Sequence, residues 1–279
     1  PSRFLRKQHP VTNHEYYLQR CSELEINHID FNQWLIDMKD TAKYMLYPKT
    51  GIHWSSYGAY RCADSLHRWL AARLQRNIPR MVNDSLILVD HARDDDNDQE
   101  RTMNLIREIS HPPMAYPAFH FVYDSVQPKP RALFIGDSFY WYWYYNKIIE
   151  NTFSNTDFWY YNNEVYPDQF SSPKNVGQLN FTEGIFNQDV IVLLQTNGGY
   201  GDLGYGWVDV AYDHIYPGAT RVREFRKTME NSPDWMKAIK EKARSRNITV
   251  DHMMRLDAIH LTNQELKNHP ENRKSLPSH

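Results

Sequence analysis

The stretch that decides the fold is ALFIGDSFYWYWYY, residues 132–145. Its first residues, Ala132 to Ile135, are apolar and short enough for a buried strand. Gly136 ends the strand, Asp137-Ser138 opens a helix, and Phe139 to Glu150 reads as that helix. A strand running straight into a helix is the unit of a parallel α/β sheet, and such sheets place their ligands at the carboxyl ends of their strands. The Ser138 hydroxyl falls at that end. Its own backbone N–H, at the start of a helix, points toward an incoming negative charge. The aromatic run Phe139 to Tyr145 suits a helix buried on most sides, with a stacking wall beside Ser138 as its functional alternative.

The same pattern recurs downstream. DVIVLLQTNGGYGDLGYGW, residues 189–207, carries a second apolar strand, Asp189 to Leu194, leading into Thr196-Asn197-Gly198-Gly199. An Asn at a neighbouring strand end can donate its amide N–H to the charge that develops when Ser138 attacks a carbonyl. Asp157 to Tyr161 reads as a further strand, and Ala219 to Glu230 and Pro233 to Arg246 as helices, followed by a short helix after Thr262. Upstream, helices are expected at His14–Ile26, Phe31–Asp40 and from Ser55 or Ser56 to about Gln75. Strands are expected at Ser85–Asp90 and Phe119–Tyr123, with a helix near Thr102–Ile109. The expectation is an α/β three-layer sandwich around a central, mostly parallel sheet. It forms one domain over 1–279, with a helical N-terminal extension at 1–25 and a disordered tail at 270–279.

Composition narrows the function classes. The chain has 32 Lys and Arg against 34 Asp and Glu, so no broad basic field exists to hold nucleic acid or an anionic membrane. Its longest apolar runs fall far short of the ~20 residues a spanning helix needs, and no membrane contact is expected. The chain begins at Pro1 rather than Met, which suggests a preceding segment. Cys21 and Cys62 fit neither a disulfide framework nor a zinc spacing, and the histidines show no metal spacing; no cofactor or metal is expected. Asp94, Asp96 and Asp98 alternate like calcium-loop ligands, but Gln99 and Leu105 stand where such a loop needs Gly and Glu, so a solvated acidic loop is the better reading. Aromatic residues are abundant, with 19 Tyr, 12 Phe and 8 Trp. Of these, Tyr200, Tyr205 and Trp207 lie on the Gly-rich segment after Asn197, where a loop on a rigid scaffold can touch a sugar.

The pair GDSF and QTNGG, each after an apolar strand, resembles the nucleophile and oxyanion-asparagine blocks of the SGNH hydrolase superfamily. YPKTGIHWSSYGAY, residues 47–60, is similar to the HWxxxGA signature of its alginate O-acetyltransferase-like and DHHW-like branch, in which the histidine motif precedes the serine. The resemblance implies Ser138 as nucleophile, His53 as general base and Asn197 in the oxyanion hole, with a third donor from Asn162 or Asn163. It implies transfer or hydrolysis of O-acetyl groups on an extracytoplasmic polysaccharide. The branch usually carries Asp where this chain has Gly51, so another group must orient His53; the acid-rich stretch Asp90–Asp98 is one source. A rival base is His260, because Asp257-x-x-His260 follows the order usual elsewhere in the superfamily. Against it, Val250–Ile259 also reads as an amphipathic helix that would leave Asp257 and His260 as a surface pair. The alternatives from other classes are a carbohydrate-binding protein that kept the scaffold without catalysis, and a metal phosphoesterase using the acidic stretch.

Overall fold

The computed structural model describes residues 11–107, 109–123, 126, 128–166, 174–216 and 218–269. The expected tail at 270–279 and the first ten residues of the expected N-terminal extension lie outside them. The chain divides into two compact units, Pro1–Tyr205 and Gly206–His279, where the sequence reading takes a single domain.

In the first unit, α1 (Asn13–Glu23) and α2 (Phe31–Met38) precede the long α3 (Ser56–Leu74). Next come β1 (Arg80–Val89), α4 (Asp98–Met103), β2 (Met114–Val122) and β3 (Ala132–Gly136). Then follow α5 (Trp141–Tyr145), α6 (Ile148–Thr152), β4 (Phe158–Tyr160), β5 (Glu164–Tyr166), β6 (Lys174–Asn175), α7 (Phe181–Phe186) and β7 (Val190–Leu194). The sheet that carries β3 has five strands in the order β6-β5-β4-β3-β7. β3 pairs in parallel with both β4 and β7, but β4–β5 and β5–β6 are antiparallel, so the sheet is mixed rather than mostly parallel. The cause is local. After Tyr160 the chain turns back through three residues, with Tyr161 and Asn162 both left-handed, and Tyr160 pairs with Glu164. The longer β1 and β2 form a separate antiparallel ribbon with an irregularity between Asn83 and Ser85.

Alternation along β3 and β4 sorts their side chains onto two faces. Phe134 and Phe158 meet the aromatic helical segment: Tyr140 stacks on Phe158 at 3.8 Å, and Phe134 meets Tyr140, Trp143 and Phe153 at 5.3–6.4 Å. Trp159, on the opposite face, packs on Phe181 of α7 at 5.4 Å. The aromatic run is therefore mainly core. Tyr140 and Trp143 are fully buried, and the Trp143 indole N–H donates to the Ala59 carbonyl of α3 at 3.0 Å. Full burial of each such ring is worth on the order of 2–3 kcal/mol, enough to explain its place without a ligand. The expected Phe139–Glu150 helix is broken into a 3-10 turn at Ser138–Tyr140, α5 and α6, with Lys147 left-handed at the last junction.

α3 follows its sequence pattern closely. Ser55 caps it by accepting from the Gly58 N–H at 3.0 Å, and Ala59, Cys62, Ala63, Leu66 and Leu70 form its buried stripe.

The second unit is helical: α8 (Trp207–Ile215), α9 (Ala219–Glu230), α10 (Pro233–Arg246) and α11 (Val250–Asn268). It has its own core of Val222, Met229, Ile239, Ala243, Met253, Met254 and Ala258, which is why it separates from the first. Thr249 caps α11, which joins into one helix the Val250–Ile259 stretch and the short helix expected after Thr262. Among the described residues no helix is long and apolar enough to cross a membrane.

Candidate functional site

Ser138 stands at the end of β3 because Gly136 lets two strands close up just before it. A Cβ on Gly136 would lie 2.4 Å from the Leu194 carbonyl oxygen of β7, a separation no side chain allows. The turn is then fixed by Asp137, which is 3% exposed and accepts three hydrogen bonds. The donors are the Phe139 N–H at 3.1 Å, the Thr196 N–H at 3.0 Å and the Tyr205 hydroxyl at 2.8 Å. One carboxylate thus ties the Ser138 turn to the segment after β7. As the first residue of a helical turn, Ser138 has a backbone N–H with no intrahelical acceptor.

His53 arrives from the loop between α2 and α3. Its Nε2 lies 2.7 Å from Ser138 Oγ, across 85 residues of sequence. For Nε2 to accept the serine proton, the ring must carry its own proton on Nδ1, and Nδ1 faces Asp98. Asp98 Oδ2 is 3.4 Å away, within reach for ion-pair attraction but off the line of a hydrogen bond, so Nδ1 has no hydrogen-bond partner. The other carboxylate oxygen of Asp98 accepts the Ile52 N–H at 3.1 Å, holding the acid to the residue before the histidine. Phe139 sits edge-on to His53 at 5.0 Å and to Trp54 at 5.3 Å, limiting how the imidazole can rotate.

The departure at Gly51 has a steric reading. A Cβ there would meet Pro48 Cγ at 2.5 Å and the Asp95 and Asp96 carbonyl oxygens at 2.9 and 3.0 Å. The acidic stretch presses onto the position where the resembled branch carries its acid, and brings Asp98 with it. That stretch is not a loose acidic loop: it folds into a 3-10 turn at Asp94–Asn97 and then α4. Asp96 is 2% exposed and accepts the Ser56 N–H at 3.1 Å, at the head of α3; burial pushes its carboxyl up to about 6. Glu100 accepts the Ile109 N–H at 2.6 Å and lies 3.2 Å from His111 Nε2, and the Thr50 hydroxyl bonds to Glu100 at 3.3 Å. The hydrogen bond from the Ile109 N–H, followed by those from His111 and Thr50, holds the Glu100 carboxyl below the usual range. The Gln99 N–H donates to the Thr50 carbonyl at 3.0 Å, so α4 is knotted to the loop that carries His53. No group of three or more His, Cys, Asp or Glu side chains among the described residues could hold a metal ion. Asp96 and Asp98 are instead spent on backbone N–H groups.

Asn197 opens a 3-10 turn after β7, is exposed, and its carboxamide makes no hydrogen bond among the described residues. The pairing Gly136↔Leu194 places Ser138 and Asn197 two and three residues beyond adjacent strand ends. Most of the other expected contacts have partners of their own. Asn162 Nδ2 donates to the Tyr205 carbonyl at 3.1 Å, and the Asn163 side-chain oxygen accepts from Asn175 at 2.6 Å. Tyr205 is spent on Asp137, and Tyr200 is stacked on His14 at 5.9 Å with Tyr17 of α1 at 5.7 Å. Trp207 is the first residue of α8 in the second unit. The Gly-rich segment is organised by a residue the sequence did not single out. Gln195 donates to the Gly199 and Asp202 carbonyls at 2.7 and 2.9 Å and accepts the Gly204 N–H at 3.1 Å.

The rival base does not form a dyad. On α11, Asp257 pairs with Lys242 at 2.5 Å, and the exposed His260 engages Gln264 at 3.0 Å.

Comparison with family models, curated proteins and solved structures finds no match to this chain.

Proposed function

We propose that this chain is a serine-dependent acyl-ester hydrolase or transferase of SGNH type, acting on O-acetyl groups of an extracytoplasmic polysaccharide. The observation that carries the reading is the 2.7 Å contact between His53 Nε2 and Ser138 Oγ, with Ser138 at the carboxyl end of a strand that is parallel to both neighbours. In the first step His53 Nε2 takes the Ser138 proton as Oγ bonds to the ester carbon. The negative charge collects on the carbonyl oxygen, met by the Ser138 backbone N–H and the Asn197 carboxamide. Collapse breaks the bond to the alcohol, which leaves with the proton from His53, and an acyl-serine remains. Water or a sugar hydroxyl then attacks that acyl group and gives its proton to His53; the acyl–Oγ bond breaks, and His53 returns the proton to Ser138 Oγ. Asp98 stands 3.4 Å from Nδ1, on the side of the ring away from Ser138 Oγ.

Helical segments on the two faces of the β3–β4 core, at Tyr140–Phe153 and at Phe181, support a layered α/β scaffold of the resembled kind, with an antiparallel edge added to its parallel centre. The binding-only reading drew its force from the missing acid at Gly51, and Asp98 beside His53 weakens that reading. Ser138→Ala is expected to reduce turnover of p-nitrophenyl acetate to the uncatalysed rate while the melting temperature stays within a few degrees. Undiminished turnover in the folded variant would remove the serine from the mechanism.

A further inference from the structure

Left-handed backbone is ordinary at helix C-caps, which is where Gln75, Asn104 and Asn247 adopt it. Three other non-glycine residues adopt it together beside Ser138: Tyr161 at φ 49°, Asn162 at 52° and Tyr205 at 55°. For a bulky aromatic residue this conformation is a genuine outlier, and such strain gathers at functional sites because the surrounding structure must over-determine it. Here the bonds that over-determine it are visible. The Tyr161 N–H donates to the Gly136 carbonyl at 2.8 Å, two residues before the nucleophile. Asn162 donates to the Tyr205 carbonyl at 3.1 Å, and the Tyr205 hydroxyl donates to Asp137 at 2.8 Å. The Tyr161 ring is wedged against Tyr160 at 4.4 Å and meets Tyr205 edge-on at 4.9 Å, yet remains 44% exposed. A turn that needed only to reverse the chain would carry Gly or Asn at 161 at lower cost. What the tyrosine adds is a rigid, part-exposed aromatic ring on the turn that is bonded to Gly136, at the end of the strand that carries Ser138.

We infer that Tyr161 is the platform on which the sugar ring of the acylated substrate rests, its aromatic face against the C–H face of a pyranose. The inference rests on the serine-transfer reading and deepens it by naming the residue that holds the sugar. An aromatic ring held this way contributes contact area without losing side-chain freedom on binding, and its apolar face with a polar rim suits a ring that is apolar on one face and hydroxylated at its edge.

The test compares two esters, p-nitrophenyl acetate and β-D-glucose pentaacetate, in the wild type, Tyr161→Gly and Tyr161→Phe. Glycine adopts φ 49° without strain, so Tyr161→Gly removes the ring while favouring the turn; Tyr161→Asn serves if the glycine variant does not fold. The expected result is that Tyr161→Gly loses about tenfold more kcat/KM on the sugar ester than on the nitrophenyl ester. The loss should lie mainly in KM, and Tyr161→Phe should keep the wild-type ratio. Equal losses on both esters would make Tyr161 a support of the turn and overturn the inference. A wild type inert toward both esters would instead sink the serine-transfer reading. The platform is then read by calorimetric binding of the sugar ester to Ser138→Ala and to Ser138→Ala with Tyr161→Gly, where equal affinities, or no binding to either, overturn it.

Discussion

The chain holds two His–carboxylate pairs built around the histidines that its sequence offers as the base of a serine enzyme, and they differ in how they are built. Asp257 and His260 are three residues apart on α11, so the helix puts them on one face at no cost, and each then finds another neighbour, Lys242 and Gln264. His53 and Asp98 are 45 residues apart in sequence, and nothing local joins them. They meet because Gly51 lets the acidic stretch close on the histidine loop, because Asp98 accepts the Ile52 N–H, and because Thr50, Glu100 and His111 lock α4 in place. A pair that comes free with helical spacing says little about chemistry. A pair assembled from distant segments, with a hydroxyl 2.7 Å from the ring, carries information.

The largest expected effect separates the two pairs directly. His53→Ala should lower kcat on p-nitrophenyl acetate by about 10³-fold or more, the scale of a lost general base, whereas His260→Ala should stay within about twofold, since a surface substitution away from such machinery changes little. Steady-state kinetics on the two variants reads this, and the reverse pattern would transfer the base to α11. A smaller effect is expected one step out. Asp98→Ala should cost about 100-fold in kcat, the lower end of what proton-transfer groups supply, because Asp98 sits 3.4 Å from Nδ1 without a formed hydrogen bond. Asp257→Ala under the same assay should leave kcat unaltered. Equal losses from both carboxylate variants would mean that neither acid acts through the reacting imidazole.

The smallest effect concerns stability and tests whether the acidic stretch is the packed support it is taken to be. Burial raises the Asp96 carboxyl from 3.8 to about 6, so the folded form holds that proton more tightly than the unfolded form. The stabilising contribution is fully present below about pH 4 and is lost as pH rises through about 6, amounting to on the order of 3 kcal/mol at most. Buried His67, lowered to about 3, acts in the opposite direction, losing its contribution as pH falls below about 6.5. Comparing wild type with Asp96→Asn cancels that second group. The wild type should lose several degrees more melting temperature than the variant between pH 4.5 and pH 8. Parallel profiles would place Asp96 in solvent rather than under α3.

The strand-to-helix turn at Gly136-Asp137-Ser138 was legible in the residues because a short apolar strand, a glycine and a helix cap follow one another in the chain. The cap and buried stripe of α3, and the bounds of α9 and α10, were legible for the same reason: helical periodicity and N-caps are local. What depended on distant segments was not. The hairpin at Tyr161–Asn163, which makes the sheet mixed, has no glycine, and its left-handed residues are held by Gly136 and Tyr205 from elsewhere. The acid-rich stretch Asp90–Asp98 was legible as a source of the orienting acid, but its alternation read as a solvated loop and did not single out Asp98, because the burial of Asp96 under α3 and the Glu100–His111 contact depend on distant segments. Tyr205 looked like a sugar contact by its position on a Gly-rich segment, yet its hydroxyl is spent on Asp137.

The central claim is that Ser138 is an activated nucleophile and His53 the group that activates it. The most direct measurement is reaction with an alkyl fluorophosphonate at neutral pH, followed by mass mapping of the modified peptide. The expected result is one phosphonyl adduct on Ser138, with fluoride displaced and labelling strongly slowed in His53→Ala but not in His260→Ala. An unmodified Ser138 in the folded protein, or labelling indifferent to His53, would contradict the account.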